Sequence, residues 1–123
     1  MKHLIYYILS ITFLQSCTNS NVSVQETQKN NQSQHPDYEK GLALVTSNNC
    51  LSCHKVEEKL TGPSYKEIAK KYANTPENVK MLAQKIIKGG QGVWGAMVMI
   101  PQPNITKEDA EQMVKYILSL KES

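Results

Sequence analysis

The sequence predicts an all-α protein with one small domain. The chain has only 123 residues, a length that suits a single domain. Apolar residues recur at helical spacing in four segments, and no segment alternates apolar and polar residues as a half-buried strand does. The segments have their own start or stop signals, and no internal repeat joins them. We therefore expect about four helices packed around one core.

The first two helices are predicted from their start signals. Asp37 follows Pro36 and is a good N-cap, and apolar residues continue from there to about Ser47. The second segment begins at Ser64, and Glu67 stands at the spacing of a capping box. Its apolar stripe consists of Tyr65, Ile68, Ala69 and Tyr72.

The third and fourth helices have equally clear boundaries. Thr75 precedes Pro76, an arrangement typical of a cap followed by proline in the first turn, and Gly89-Gly90 ends the third segment. The fourth segment begins at Thr106, with Asp109 three residues later. Its predicted buried face consists of Ala110, Met113, Val114, Ile117 and Leu118.

Two features indicate that the core needs an additional component. Residues 91–105 are interrupted by glycine and proline, yet many of them are apolar, and an apolar loop needs something to cover. The chain has one Phe and one Trp, and Phe13 lies in a segment that we predict is removed. So small a domain with so few aromatic residues would struggle to bury enough surface alone. We expect a metal, a disulfide or a cofactor to supply the missing core.

The N-terminal residues 1–16 predict a secretory signal. A short basic start precedes an apolar run at residues 4–14, which is too short to span a bilayer. The run ends in Leu14-Gln15-Ser16-Cys17, which resembles a bacterial lipobox, so Cys17 is the predicted site of lipidation. Cleavage elsewhere would instead leave Cys17 as a stray thiol.

The remaining chain divides into a tether and a folded domain. Residues 17–37 are rich in Asn, Gln and Ser and cannot bury enough apolar area to fold, so we predict a flexible tether. Residues 38–123 form the predicted domain. The net charge of +3 is too weak to indicate nucleic-acid binding. The 14 Lys and Arg residues are all lysines, and arginine is the residue most used for specific base contacts.

The motif Cys50-Leu51-Ser52-Cys53-His54 predicts a site that binds a cofactor. In a secreted chain, C-x-x-C-H is typical of c-type haem attachment. The two thiols reach the two vinyl groups of one porphyrin as thioethers, and His54 becomes a ligand of the iron. A thioredoxin-like cysteine pair is the alternative, but no strand–helix pattern surrounds it. A zinc site would need a second Cys/His pair, and the remaining histidine after the signal is His35, in the tether.

A second iron ligand is expected among the methionines. Met81 and Met113 fall inside helical patterns and are better explained as core or surface residues. Met97 and Met99 lie in the apolar loop, where the chain can wrap over a porphyrin. Spacing alone does not separate these two.

Four local motifs carry a family resemblance. They are the Leu51-Ser52-Cys53-His54 context, Gly62-Pro63-Ser64-Tyr65, Gly89-Gly90-Gln91-Gly92-Val93-Trp94-Gly95 and Tyr116-Ile117-Leu118-Ser119-Leu120. Together they resemble the small bacterial class I cytochromes c, of the cytochrome c-551/c8 kind. The resemblance covers roughly residues 38–123 and implies a few helices around one haem, with the terminal helices crossing where Gly41 approaches Tyr116.

The resemblance also implies roles for single residues. In the family the distal ligand is a methionine four residues after the glycine of Val-Trp-Gly, which selects Met99 over Met97. Pro63 would offer its carbonyl oxygen to the second ring nitrogen of His54. Trp94 would donate a hydrogen bond to a haem propionate, with simple core packing as the alternative. Asn104 would bond the ligand sulfur.

The expected function is one-electron transfer by a haem c with His54 and Met99 as axial ligands, not enzymatic catalysis. The expected location is the periplasmic side of a bacterial membrane, with a lipid anchor at Cys17. An oxidase, reductase or dehydrogenase would dock transiently, steered by lysines unless these are simply solvated. One alternative is a haem gas sensor or peroxide-reactive subunit whose distal site opens, and another is a fixed subunit of one enzyme complex. Without haem, we expect the chain to be largely unfolded.

Overall fold

The computed structural model describes residues 36–122 of the chain, and the predicted signal, Cys17 and most of the predicted tether lie outside these residues. The described part confirms the all-α prediction. Its helices are α1 (Pro36–Ser47), α2 (Tyr65–Lys71), α3 (Pro76–Lys88) and α4 (Lys107–Ser119), with short 3₁₀ turns at Cys50–Ser52 and Leu120–Glu122.

The predicted caps of α2, α3 and α4 are confirmed. The hydroxyl oxygen of Ser64 accepts a hydrogen bond from the Glu67 backbone, and the Glu67 carboxylate accepts one from the Ser64 backbone, which completes the capping box. The hydroxyls of Thr75 and Thr106 accept from the backbone N–H three residues later. Because Pro36 already belongs to α1, Asp37 lies in the first turn of the helix rather than at its N-cap.

Helices α1 and α4 pack closely at Gly41, a residue that has no side chain. A Cβ placed on Gly41 would lie 2.7 Å from the carbonyl oxygen of Gln112 and would overlap the Cβ of Tyr116. Gly41 is buried in α1, and Tyr116 is 3% exposed in α4. The predicted close approach of α1 to α4 near Tyr116 is therefore confirmed, and it requires glycine.

The loop between α3 and α4 contains regular structure that the sequence analysis did not predict. Two strands, β1 (Gly90–Gly92) and β2 (Gly95–Met99), pair antiparallel as a hairpin. Gly92 and Gly95 have φ angles of 92° and 109°, which residues with side chains rarely adopt. These two glycines explain how so short a segment reverses direction between Val93 and Trp94.

The core lies between the four helices and is made of side chains from each of them. Val45 of α1, Tyr65 of α2, Ala83 of α3 and Met113 of α4 are all at most 1% exposed. The hairpin joins this core through Met99, which packs against it while partly exposed. Within residues 36–122, no helix is both long enough and apolar enough to cross a membrane.

Candidate haem site

A cavity of about 650 Å³ lies between the helices, the Cys50–Ser52 turn and the β1–β2 hairpin. Its size is within the range usual for cofactor sites. The inner wall is formed by apolar side chains of α1, α3 and α4, and the motif residues and the hairpin complete the lining. The apolar wall includes Val45, Leu82, Ile86, Val114 and Ile117.

The turn after α1 brings both motif cysteines and the histidine to this cavity. Asn49 has a positive φ of 55°, and the chain then forms the 3₁₀ turn that begins at Cys50. The Cys50 carbonyl oxygen accepts hydrogen bonds from the backbone N–H of Cys53 at 3.2 Å and of His54 at 3.0 Å. The turn therefore holds the two thiols and the imidazole on one short, hydrogen-bonded piece of backbone.

The two thiols differ in their surroundings. Cys50 is half-buried and Cys53 is exposed, and no disulfide joins them. Burial raises the pKa of the Cys50 thiol, and electrostatic repulsion from the neighbouring Cys53 thiol acts in the same direction. Because the thiols are free and face a common cavity, they fit the attachment of a porphyrin through two thioethers.

The imidazole of His54 is oriented by a backbone carbonyl. Its Nδ1 lies 2.7 Å from the carbonyl oxygen of Pro63, which is the contact that the family resemblance implied. When Nδ1 carries the proton and donates a hydrogen bond to this carbonyl, the lone pair of Nε2 remains available to an iron. The donor set of the cavity thus fits a haem.

Gly62 allows this orientation, a role that the sequence analysis missed. A Cβ on Gly62 would lie 2.7 Å from Nδ1 and 2.9 Å from Nε2 of His54. The Gly62 backbone is itself held, because its N–H donates to the carbonyl oxygen of Cys53 at 2.9 Å. The sequence signal was the glycine directly before Pro63, but its meaning depends on where the imidazole lies.

Tyr65 forms a second contact with the imidazole. Its ring is nearly parallel to that of His54, with an interplanar angle of 15° and a centroid distance of 5.8 Å. The Tyr65 hydroxyl is buried without a hydrogen-bond partner among the described residues, and burial raises its pKa well above the usual value. Tyr116 packs edge-on against Tyr65, with centroids 6.3 Å apart, so the aromatic contact extends from the site to α4.

The hairpin contributes Trp94 and two methionines to the lining. Trp94 is half-buried, and the ammonium nitrogen of Lys71 lies 5.4 Å from its ring centroid, within cation–π range. Met99 is half-buried, whereas Met97 is 63% exposed, and both line the cavity. The predicted propionate contact of Trp94 remains a prediction.

The other candidate residues are placed differently. Met81 and Met113 also line the cavity, from α3 and α4, and Met113 is completely buried in the core. Asn104 is exposed and lies outside the described residues that line the cavity. The structure therefore brings together Cys50, Cys53, His54, Pro63, Trp94, Met97 and Met99, but not Asn104.

The fold and the site define a small all-α protein that holds one covalently attached haem c. Comparison with known proteins then identifies its family. The chain belongs to the cytochrome c family, whose sequence profile matches residues 38–121.

Two bacterial cytochromes are similar to the chain over most of their own length. It is 46% identical over 78 residues to cytochrome c-552 of Hydrogenobacter thermophilus, an alignment that covers 63% of this chain and 79% of the relative. It is 45% identical over 84 residues to cytochrome c2 of Rhodocyclus tenuis, covering 65% of this chain and 91% of the relative.

The crystal structure of Nitrosomonas europaea cytochrome c552 is similar in fold. Its TM-score is 0.61 at 43% identity, and the match covers 64% of this chain and 98% of that protein. This likeness confirms the class I cytochrome c fold predicted from the sequence.

Proposed function

We propose that the chain is a one-electron carrier whose haem is ligated by His54 and Met99. The observation that supports this best is the arrangement of the cavity. Cys50, Cys53 and His54 enter from one short turn, and the methionine comes from the separate β1–β2 hairpin. The bound haem supplies the Fe(II)/Fe(III) couple.

The surroundings of the site favour electron transfer over catalysis. His54 is oriented by Pro63, and the inner wall of the cavity is apolar. With His54 and a hairpin methionine as its two protein ligands, the iron site would change little between the two oxidation states. The Pro63 carbonyl bonded to Nδ1 fixes the orientation in which the imidazole would meet the iron.

We also propose where the carrier works and how it meets its partners. Residues 1–16 act as the export signal, and Cys17 anchors the protein by a lipid to the periplasmic side of a membrane. Lys59 and Lys85 line the cavity, so a positive rim would steer an acidic redox partner such as an oxidase, reductase or dehydrogenase. Binding would be brief and the interface small.

Carbon monoxide tests whether the distal position is closed. We expect the reduced, haem-loaded protein not to bind carbon monoxide rapidly, because a hairpin thioether would already be bound to the iron. We also expect the oxidised protein to show the long-wavelength charge-transfer band of methionine-ligated haem. The measurement is mixing with carbon monoxide, followed by absorbance.

The double variant Met97→Ala/Met99→Ala is the positive control, since it removes both hairpin thioethers and should bind carbon monoxide rapidly. Rapid binding by the unmodified protein would contradict the carrier proposal. That outcome would favour the gas-sensing or peroxide-reactive alternative, in which the distal position opens.

A further inference from the structure

The pairing of β1 with β2 is irregular, and the irregularity lies between the two paired positions. Gly92 pairs with Gly95, and Gly90 pairs with Met99. Between these pairs, β1 contains only Gln91, whereas β2 contains residues 96–98. Strand β2 therefore bulges by two residues, and Met97 is at the centre of the bulge.

The bulge is exposed and is held by a side chain of the opposite strand. The side-chain amide of Gln91 donates a hydrogen bond of 2.7 Å to the carbonyl oxygen of Ala96. Met97 and Val98, which follow Ala96 in the bulge, both line the cavity. At the tip of the hairpin, a Cβ on Gly92 or on Gly95 would meet no heavy atom within 4 Å.

A regular pairing of the same strands would exchange the two methionines. If the ladder continued without a bulge from the pair Gly92–Gly95, then Gln91 would face Ala96 and Gly90 would face Met97. A shift of two residues keeps every side chain on its own face of a strand. Met97 would then occupy the position opposite Gly90 that Met99 has now.

In that register the two displaced residues would leave β2 and join the segment before Pro101. Both methionines already line the cavity, so the exchange moves one thioether away from the site and another toward it. Met113 cannot move in this way, because it is completely buried in α4.

We propose that the β2 bulge selects between two axial ligands and that Met97 is the ligand of a second hairpin register. This rests on the proposed function, in which a methionine of the hairpin ligates the haem. The second register keeps the distal position closed when Met99 is lost. Gln91 is the positioning residue that favours Met99.

Three haem-loaded variants test the ligand exchange. We expect Met97→Ala to keep the charge-transfer band, and Met99→Ala to keep it as well, now through Met97. If Met97 closes the site in about nine of ten Met99→Ala molecules, this variant should bind carbon monoxide about tenfold more slowly than Met97→Ala/Met99→Ala. Equal rates for Met99→Ala and the double variant would overturn the proposal. A band that persists in the double variant would also overturn it, by assigning the ligand to a residue outside the hairpin.

NMR of the reduced protein with isotope-labelled methionine methyl groups reports the register itself. A methyl group bound to haem iron is shifted strongly upfield, so each ligand gives its own signal. We expect Gln91→Ala to add a second bound methyl signal, together with cross-strand contacts between Gly90 and Met97. The matched control is Gln84→Ala, at an exposed glutamine of α3, which should leave one signal.

The outcomes separate this inference from the proposed function. If the unmodified protein shows no bound methionine methyl, methionine ligation itself is wrong. If it shows one signal and Gln91→Ala shows the same one alone, methionine ligation stands and the two-register proposal is overturned.

Discussion

Replacing Gly62 by alanine should displace His54 and destabilise the haem-loaded protein by about 1–3 kcal/mol, the usual cost of overpacking a close contact. The added Cβ would lie 2.7 Å from Nδ1 and 2.9 Å from Nε2. The imidazole has little freedom to move away, because Nδ1 is bonded to the Pro63 carbonyl. Gly62 has no positive φ, so alanine free of this contact would be expected to stabilise by about 0.4–1 kcal/mol.

The measurement is the free energy of unfolding in guanidinium chloride, together with the charge-transfer band of the oxidised protein. Gly90→Ala is the control for the free energy of unfolding alone, since Gly90 lines the cavity and pairs with Met99. Its Cβ would first meet the flexible side chain of Lys85 at 3.2 Å, and we expect a change below about 1 kcal/mol. Unchanged stability and an unchanged spectrum in Gly62→Ala would contradict the role assigned to Gly62.

Replacing Gly41 by valine should destabilise the protein by about 3 kcal/mol or more, because overpacking here acts on backbone as well as on side chains. The nearest atoms are the carbonyl oxygen of Gln112, at 2.7 Å from an added Cβ, and the Cβ of Tyr116. Neither atom lies at the end of a flexible side chain, so α1 and α4 must separate. Helix propensity predicts the opposite sign, since glycine is the poorest residue in a helix interior apart from proline.

Ala43→Val is the control, because it places the same side chain on the exposed face of the same helix. Its expected cost is at most about 0.7 kcal/mol, from helix propensity alone. Urea unfolding of both variants measures the difference. Similar stabilities for Gly41→Val and Ala43→Val would show that the α1–α4 contact tolerates a side chain.

The helices could be predicted because their signals are local. Each N-cap side chain accepts a hydrogen bond from a backbone N–H three residues later, so the sequence pattern and the structure agree. These N-caps are Ser64, Thr75 and Thr106. The hairpin could not be predicted in the same way. Its strands are short, and its reversal depends on glycines with positive φ, which leave no alternating pattern in the sequence.

Some residues of the site could likewise be predicted from local sequence, whereas others depend on the three-dimensional fold. Cys50, Cys53 and His54 form a contiguous motif that indicates its own chemistry, and Pro63 was implied by family resemblance. The contact of Gly62 with the imidazole depends on a turn that returns the chain to His54, which no local pattern describes. The choice between Met97 and Met99 depends on strand register, which the bulge determines and composition does not.

The shortage of aromatic residues also has a structural explanation. The inner wall of the cavity is apolar and continuous with the core, because Val45, Met113 and Val114 belong to both. A haem bound here would add its apolar faces to the core. We therefore expect the haem-free chain to be largely unfolded by circular dichroism.

The central claim is that haem is attached at Cys50 and Cys53, and peptide mass spectrometry of the protein purified from cells that attach c-type haem tests it most directly. The prediction is that haem stays with the chain in acidified organic solvent and that the peptide containing residues 50–54 has the added mass of one haem, with neither thiol free. Cys50→Ala/Cys53→Ala should lose this mass. Haem that is extracted from the unmodified protein, with both thiols open to alkylation, would contradict the account.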